Sequence, residues 1–200
     1  MPKAVDLAPL TRQKLAQLYP DFRLRVIEIY QDVFDQLGRK MNATETLRDF
    51  ERQAQLFAQG RSLQDGRWII TDKKLIATNA PPGKSFHHYG LACDSAFAGT
   101  DPFLKSLSRE EREGLWGDFG RLVQARGCVW GGDWNGNGEQ DPNDFDRPHC
   151  QKTYGLTIAE CERLYRQGGI AAVWARVDAV RGIAPGTGWD NALSIPTPTP

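Results

Sequence analysis

The sequence predicts an α+β fold, a short and mainly antiparallel sheet flanked by helices. Three observations carry that reading. Apolar residues recur every three or four positions over 20–38, the period of an amphipathic helix. Ser108 with Glu111, and Thr157 with Glu160, have the Ser/Thr-x-x-Glu spacing of a capping box ahead of further apolar periodicity. Leu91 to Phe97 and Cys128 to Trp130 are apolar runs too short for helices and read as strands.

In chain order, the first helix places Phe22, Val26, Ile29, Tyr30, Val33, Phe34 and Leu37 on one side and stops at Gly38. Residues 41–47 read as a short strand. Residues 49–59 resume the helical period through Phe50, Ala54, Phe57 and Ala58, ended by Gly60. Residues 61–84 are polar, with Pro-Pro-Gly near their end, and read mostly as loop. Leu91 to Phe97 is a strand, 108–126 a helix with Leu115, Phe119, Leu122 and Val123 inward, and Cys128 to Trp130 a second central strand. Residues 131–146 are a Gly/Asn/Asp-rich loop. One helix follows from Thr157 to about Gln167, and another from Ile170 to Arg181. Residues 1–189 are expected to form a single domain. The Pro-rich tail of 190–200 cannot contribute a core.

Basic and acidic residues balance at 25 each, which argues against a nucleic-acid binder that relies on a broad basic face. No run reaches the roughly 20 apolar residues of a membrane span. The N-terminus lacks the apolar core of a signal peptide, so synthesis in a cytoplasm is expected. Cys93, Cys128, Cys150 and Cys161 form no CxxC pair and are expected to be buried free thiols. Cys93 precedes Asp94 and Cys150 follows His149. On neighbouring strands, both thiols would turn to the same face, opposite those two residues.

The chain has three histidines. Two lie in Ser85-Phe-His87-His88-Tyr-Gly90-Leu-Ala92-Cys-Asp94, and the third in Asp146-Arg-Pro-His149. A catalytic zinc site needs about three nitrogen or oxygen ligands and one open position. Imidazole and carboxylate supply such ligands, and Gly90 and Pro148 punctuate both segments. Asp146, three residues before His149, is placed to move a proton near such an ion. Hydrogen-bonded core histidines fit the same spacing, which alone does not choose.

The residues do match a family pattern. Ser-x-His-x-x-Gly-x-Ala-x-Asp at 85–94, followed by Asp-x-Pro-His at 146–149, resembles the zinc peptidases that cut peptidoglycan. These include D-Ala-D-Ala carboxypeptidases, D-Ala-D-Ala dipeptidases and L-alanyl-D-glutamate endopeptidases. The segment from Leu47-Arg48 through Glu51-Arg52-Gln53 to Gly60-Arg61, and Trp130-Gly-Gly-Asp133-Trp134, are similar to further family segments in the same order. The resemblance covers about 40–155. It implies a zinc cleft on the sheet, with His87, Asp94 and His149 as zinc ligands. It also implies Asp146 as general base, Arg48 as the group that steadies the scissile carbonyl, and Ser85 as a supporting or substrate contact. His88 falls on a variable position and is not counted as a ligand.

A second metal signal lies between these motifs. The calcium-loop pattern asks for oxygen side chains at positions 1, 3, 5, 9 and 12, glycine at 6, and a backbone carbonyl at 7. Counted from Asp133, these are Asp133, Asn135, Asn137, Asp141 and Asp144, with Gly138 at the turn and Glu139 at position 7. Asp144 departs from the usual glutamate at position 12. A flexible polar loop is the alternative. The loop ends close to Asp146 and His149, so calcium binding would order both.

The segment from Leu47 and Trp130-Gly-Gly-Asp-Trp look most like the L-alanyl-D-glutamate endopeptidases, many of them phage endolysins. The expectation is therefore a monomeric enzyme that acts on peptidoglycan, without nucleic acid or membrane. It would be made in the host cytoplasm and act on the wall after release. A D-Ala-D-Ala carboxypeptidase or dipeptidase, or a wall-binding module without catalysis, are the competing readings.

Overall fold

The computed structural model describes residues 4–101, 104–141 and 146–189. Among these residues, five α-helices, α1 (Pro9–Leu15), α2 (Pro20–Leu37), α3 (Phe50–Ala58), α4 (Arg109–Ala125) and α5 (Ile158–Arg181), accompany six strands. These are β1 (Met41–Glu45), β2 (Arg61–Gln64), β3 (Arg67–Ile70), β4 (Ala92–Phe97), β5 (Val129–Trp130) and β6 (His149–Gln151). The main sheet runs β1-β4-β6-β5 with every neighbouring pair antiparallel. This is the α+β architecture expected.

The helices form for the reasons the sequence offers. α2 starts at a proline and ends at Gly38 in the left-handed conformation (φ 63°), and it buries Phe22, Val26, Ile29, Tyr30 and Val33. α4 carries the full capping box: Glu111 N donates to Ser108 Oγ at 3.2 Å, and Ser108 N to Glu111 Oε2 at 3.0 Å. Thr157 supplies the first half of the second box, accepting from Glu160 N at 3.2 Å, but the Glu160 carboxylate turns to Arg176 Nε at 2.9 Å. The two C-terminal helices run on as α5, interrupted by non-helical Gly168 and Gly169.

The local structure differs from the expectation at three points. Residues 61–84 are mostly loop, but not throughout. They contain the β2–β3 hairpin, whose two-residue Asp65-Gly66 turn has both φ values positive, at 47° and 76°. Asp-Gly between strands is a strong hairpin signal, and it lay unread inside a polar stretch. Cys128 to Trp130 is an edge strand of two residues; the second central strand is β6, too short and too polar to show a period. The short α1 was not expected either.

A single buried cluster extends from Leu15 through α2, the sheet and α4 to Trp174 and Trp189. It reaches the site through one turn. Gly90 has φ 65°, and a Cβ there would meet Gln17 O at 3.0 Å and Trp174 Cζ2 at 3.1 Å. Tyr19 N donates to Gly90 O at 3.0 Å, and Trp174 Nε1 to Tyr89 O at 2.8 Å. The turn that carries the two adjacent histidines is thus gripped by both ends of the described chain.

Candidate metal centre

Asp94 on β4 lies directly opposite His149 on β6, and Cys93 opposite Cys150. Opposed residues of an antiparallel pair share a face, and successive residues alternate. Asp94 and His149 therefore face one way, while Cys93 and Cys150 point into the core, both buried and free. His87 joins from the 3-10 turn Phe86–Tyr89, whose N-cap is Ser85; Ser85 Oγ accepts from His87 N at 3.3 Å.

Three atoms converge. His149 Nδ1 lies 3.0 Å from Asp94 Oδ1, His87 Nε2 lies 3.2 Å from the same oxygen, and the two nitrogens are 3.3 Å apart. The ligand atoms of all three residues lie within 4.8 Å of one another. Each is anchored from behind. His87 Nδ1 faces Thr46 O at 2.7 Å, and His149 Nε2 faces Gln151 Oε1 at 3.0 Å. Both partners are oxygen acceptors, so those nitrogens carry the protons and the other two present lone pairs. Asp94 Oδ2 is held by Arg48 Nη2 at 3.2 Å. Three acceptors aimed at one point repel unless a cation lies among them, and two imidazoles with a carboxylate suit a divalent ion of intermediate softness.

In the absence of a metal ion a proton plays that part. Burial lowers the His149 pKa, but the Asp94 hydrogen bond and the Asp146 charge override it and lift it to about 9. Burial alone would raise the Asp94 carboxyl; His87 and the hydrogen bond from His149 hold it well below the usual range.

His88 is excluded by its bonding. Its Nδ1 faces Arg48 O at 2.8 Å, its Nε2 accepts from Gly83 N at 3.0 Å, and its ring stacks on Phe50 at 4.3 Å. Both nitrogens are used, and burial pushes its pKa down.

The cluster opens into a cleft of about 400 Å³ whose walls include Glu45, Arg48, Ser85, Trp134 and Asp146. Trp134 packs against the His149 ring at 5.4 Å. Arg48 is only 8% exposed and tied to its surroundings: Nη1 to Gln53 Oε1 at 2.9 Å, and Nη2 to Glu45 Oε2 at 2.6 Å as well as to Asp94. Asp146 is exposed on the cleft wall and heads the tight turn into β6, where His149 N donates to Asp146 O at 2.9 Å. That turn depends on Gly131. A Cβ there would lie 2.4 Å from Asp146 O and 2.9 Å from His149 Cβ.

Sequence reasoning missed Gln151, which fixes the His149 ring, and Thr46, whose carbonyl fixes His87. A polar residue two positions after a strand ligand falls on the ligand's face, a signal that would have found Gln151. The Thr46 carbonyl left no trace in sequence.

The loop from Asp133 is closed by its own hydrogen bonds. Asp133 is buried and accepts from Gln124 Nε2 at 2.6 Å, Gly138 N at 2.9 Å and Asn137 N at 3.1 Å. Asn135 Oδ1 accepts from Asn137 N at 2.9 Å, and Asn137 Oδ1 from Glu139 N at 2.8 Å. Asp141 takes Trp134 N at 3.1 Å and the Asn135 side-chain amide. Asp144 lies outside the described residues.

Residues 78–152 match a family model described as D-alanyl-D-alanine carboxypeptidase. The chain is 28% identical over 138 residues to the peptidoglycan L-alanyl-D-glutamate endopeptidase CwlK of Bacillus subtilis (strain 168), covering 67% of this chain and 70% of that protein. Among solved structures, the L-Ala D-Glu endopeptidase ChiX of Serratia marcescens aligns with a TM-score of 0.43 at 21% identity, over 76% of this chain and 92% of that one. The chain is thus similar to a D-alanyl-D-alanine carboxypeptidase family model over 78–152 and to one curated L-alanyl-D-glutamate endopeptidase.

Proposed function

We propose that the protein is a zinc metallopeptidase that hydrolyses the L-Ala-D-Glu bond of peptidoglycan stem peptides. The observation that carries the reading is the convergence of His87 Nε2, Asp94 Oδ1 and His149 Nδ1, each oriented from behind, at the floor of an open cleft. The relative named as an L-alanyl-D-glutamate endopeptidase favours this bond over terminal D-Ala.

His87, Asp94 and His149 would hold zinc, which when bound would supply Lewis acidity. Asp146, on the cleft wall, accepts the proton of the attacking water and returns it to the leaving amine. Arg48 positions Asp94 and adds positive charge beside the carbonyl oxygen as it becomes anionic. Ser85 sets the start of the turn that presents His87 and lies within reach of substrate in the same cleft.

Digestion of purified peptidoglycan by metal-defined protein, with Asp146→Ala beside it, tests this. New N-terminal D-Glu peptides, absent in the variant, are expected by mass spectrometry. Loss of terminal D-Ala alone would reassign the enzyme as a carboxypeptidase. Absence of any cleavage would favour a wall-binding module.

A calcium requirement is a second proposal, supported by the 1, 3, 5, 9 spacing of Asp133, Asn135, Asn137 and Asp141 and by the successive turns that curl this loop. Calcium is expected to raise the melting temperature and the activity of chelator-treated, zinc-reloaded protein; equal values with and without calcium would refute it. A role in host-cell lysis as a monomeric phage endolysin belongs to the same reading. Its test is lysis on expression together with a membrane-permeabilising protein. Among the described residues no helix is long and apolar enough to cross a membrane.

A further inference from the structure

Among the described lining residues the cleft has two cationic side chains, Arg48 and Lys84, and they differ in what they have left to give. Arg48 is buried, and its terminal nitrogens are engaged by Gln53, Glu45 and Asp94. Lys84 lines the same cleft just ahead of Ser85, with 46% of its side chain exposed. Its ammonium donates to Glu162 Oε2 at 2.5 Å, across to α5. The other Glu162 oxygen accepts from Arg166 Nη2 at 2.5 Å. Two cations share one carboxylate, so the trio keeps a net positive charge at the cleft rim. An ammonium has three donors, and one of those on Lys84 is committed.

We propose that Lys84 is a specificity-determining residue whose ammonium binds the free α-carboxylate of the D-glutamyl residue on the leaving side of the scissile bond. This rests on the endopeptidase reading above. D-Glu continues the stem peptide through its γ-carboxyl group. Its α-carboxylate therefore stays free, on the same carbon as the scissile nitrogen. When the scissile carbonyl sits over the metal ligands, that carboxylate must lie against a neighbouring part of the cleft wall. Of the other charged lining residues, Glu45 and Asp94 are paired with Arg48, whose charge they occupy, and Asp146 is repulsive to it. Lys84 is the solvent-open cation among the described lining residues. Glu162 holds the ammonium in place, and Arg166 keeps Glu162 from neutralising it completely. Stem peptides in which this carboxylate is amidated offer no charge for Lys84 to meet.

The test compares synthetic stem peptides with the D-Glu α-carboxyl group free or amidated, using the metal-loaded full chain, Lys84→Gln and Lys84→Arg. Wild type is expected to prefer the free acid by about tenfold or more in kcat/KM, the scale of one charge-assisted hydrogen bond. Lys84→Gln should bring that ratio towards one, mainly through KM, because the contact exists before and during the reaction. Lys84→Arg should keep most of the preference. A preference that survives in Lys84→Gln, or is lost equally in both variants, overturns the assignment. So does a wild type that cleaves both peptides equally well. A wild type that cleaves neither peptide refutes the endopeptidase reading itself, and this assignment falls with it.

Discussion

Gln151 decides which nitrogen of His149 faces the cleft. Its Oε1 takes the Nε2 proton at 3.0 Å and leaves the Nδ1 lone pair to the metal position. Gln151→Leu removes that acceptor and frees the tautomer. Metal affinity is expected to fall about 10- to 100-fold, the usual cost of losing an outer-shell partner, with the fold retained; competition with a chromophoric chelator measures it. Protons compete for the same position. With the metal-free His149 pKa lifted to about 9, metal must displace a proton at neutral pH. Apparent affinity should rise with pH by up to about tenfold per unit until about pH 9, with proton release visible by calorimetry in buffers of different ionisation enthalpy. His88 has the opposite linkage. Its lowered pKa means that below its ordinary value of 6.5 the unfolded chain takes up a proton that the folded chain refuses. Stability of the metal-free protein should therefore decline as pH falls from about 6.5, and the slope should flatten in His88→Asn; thermal melts across pH 5–7 check this.

Among the elements, the β5–β6 junction leaves no room for a side chain at Gly131. Gly131 N donates to His149 O at 2.8 Å, and the glycine lies where a Cβ would overlap the Asp146 carbonyl. Gly131→Ala must push the Asp146 turn and the His149 strand apart. It is expected to cost about 1–3 kcal/mol of stability, as overpacking does, and to lower kcat much further by moving Asp146 and His149 together. Urea denaturation and steady-state kinetics on one preparation separate the two effects, and a fully active Gly131→Ala would contradict the geometry. The β4–β6 pair is also where sequence reasoning stopped short. β4 announced itself through an apolar run, whereas β6 is three residues, His149–Gln151, with no period to read. Its strand character comes from the ladder it joins. The β2–β3 hairpin failed to register for another reason: Trp68, Ile69 and Ile70 are 45%, 43% and 50% exposed, so no buried face imposed an alternation.

For the whole molecule, the convergence of the candidate ligands was legible in motif spacing: His87, Asp94 and His149 are close to one another in space, and His88 is diverted into structure. What orients them was less legible: Thr46 O and Arg48 act across long sequence separations that only the fold reveals, whereas Gln151 lies two residues from His149 on the same strand face. The same applies to extent. Motifs cover about 40–155, and the family match covers 78–152, yet Tyr19 and Trp174 bond to the Tyr89-Gly90 turn from outside both ranges. We propose that 4–189 is one folding unit. A fragment of 40–155 would expose the faces that α2 and α5 cover, and it is expected to lose cooperative unfolding and metal binding. A sharp melt from that fragment would refute the proposal. The facing thiols of Cys93 and Cys150 offer a means of watching this unit breathe. They lie one rung from Asp94 and His149, on the hidden side of the sheet, while Cys161 is buried on α5. A thiol-labelling reagent reaches each sulfur only when its own shelter opens. Their relative labelling rates act as a native clock, reporting whether the ligand-bearing ladder and the C-terminal helix part together or in turn.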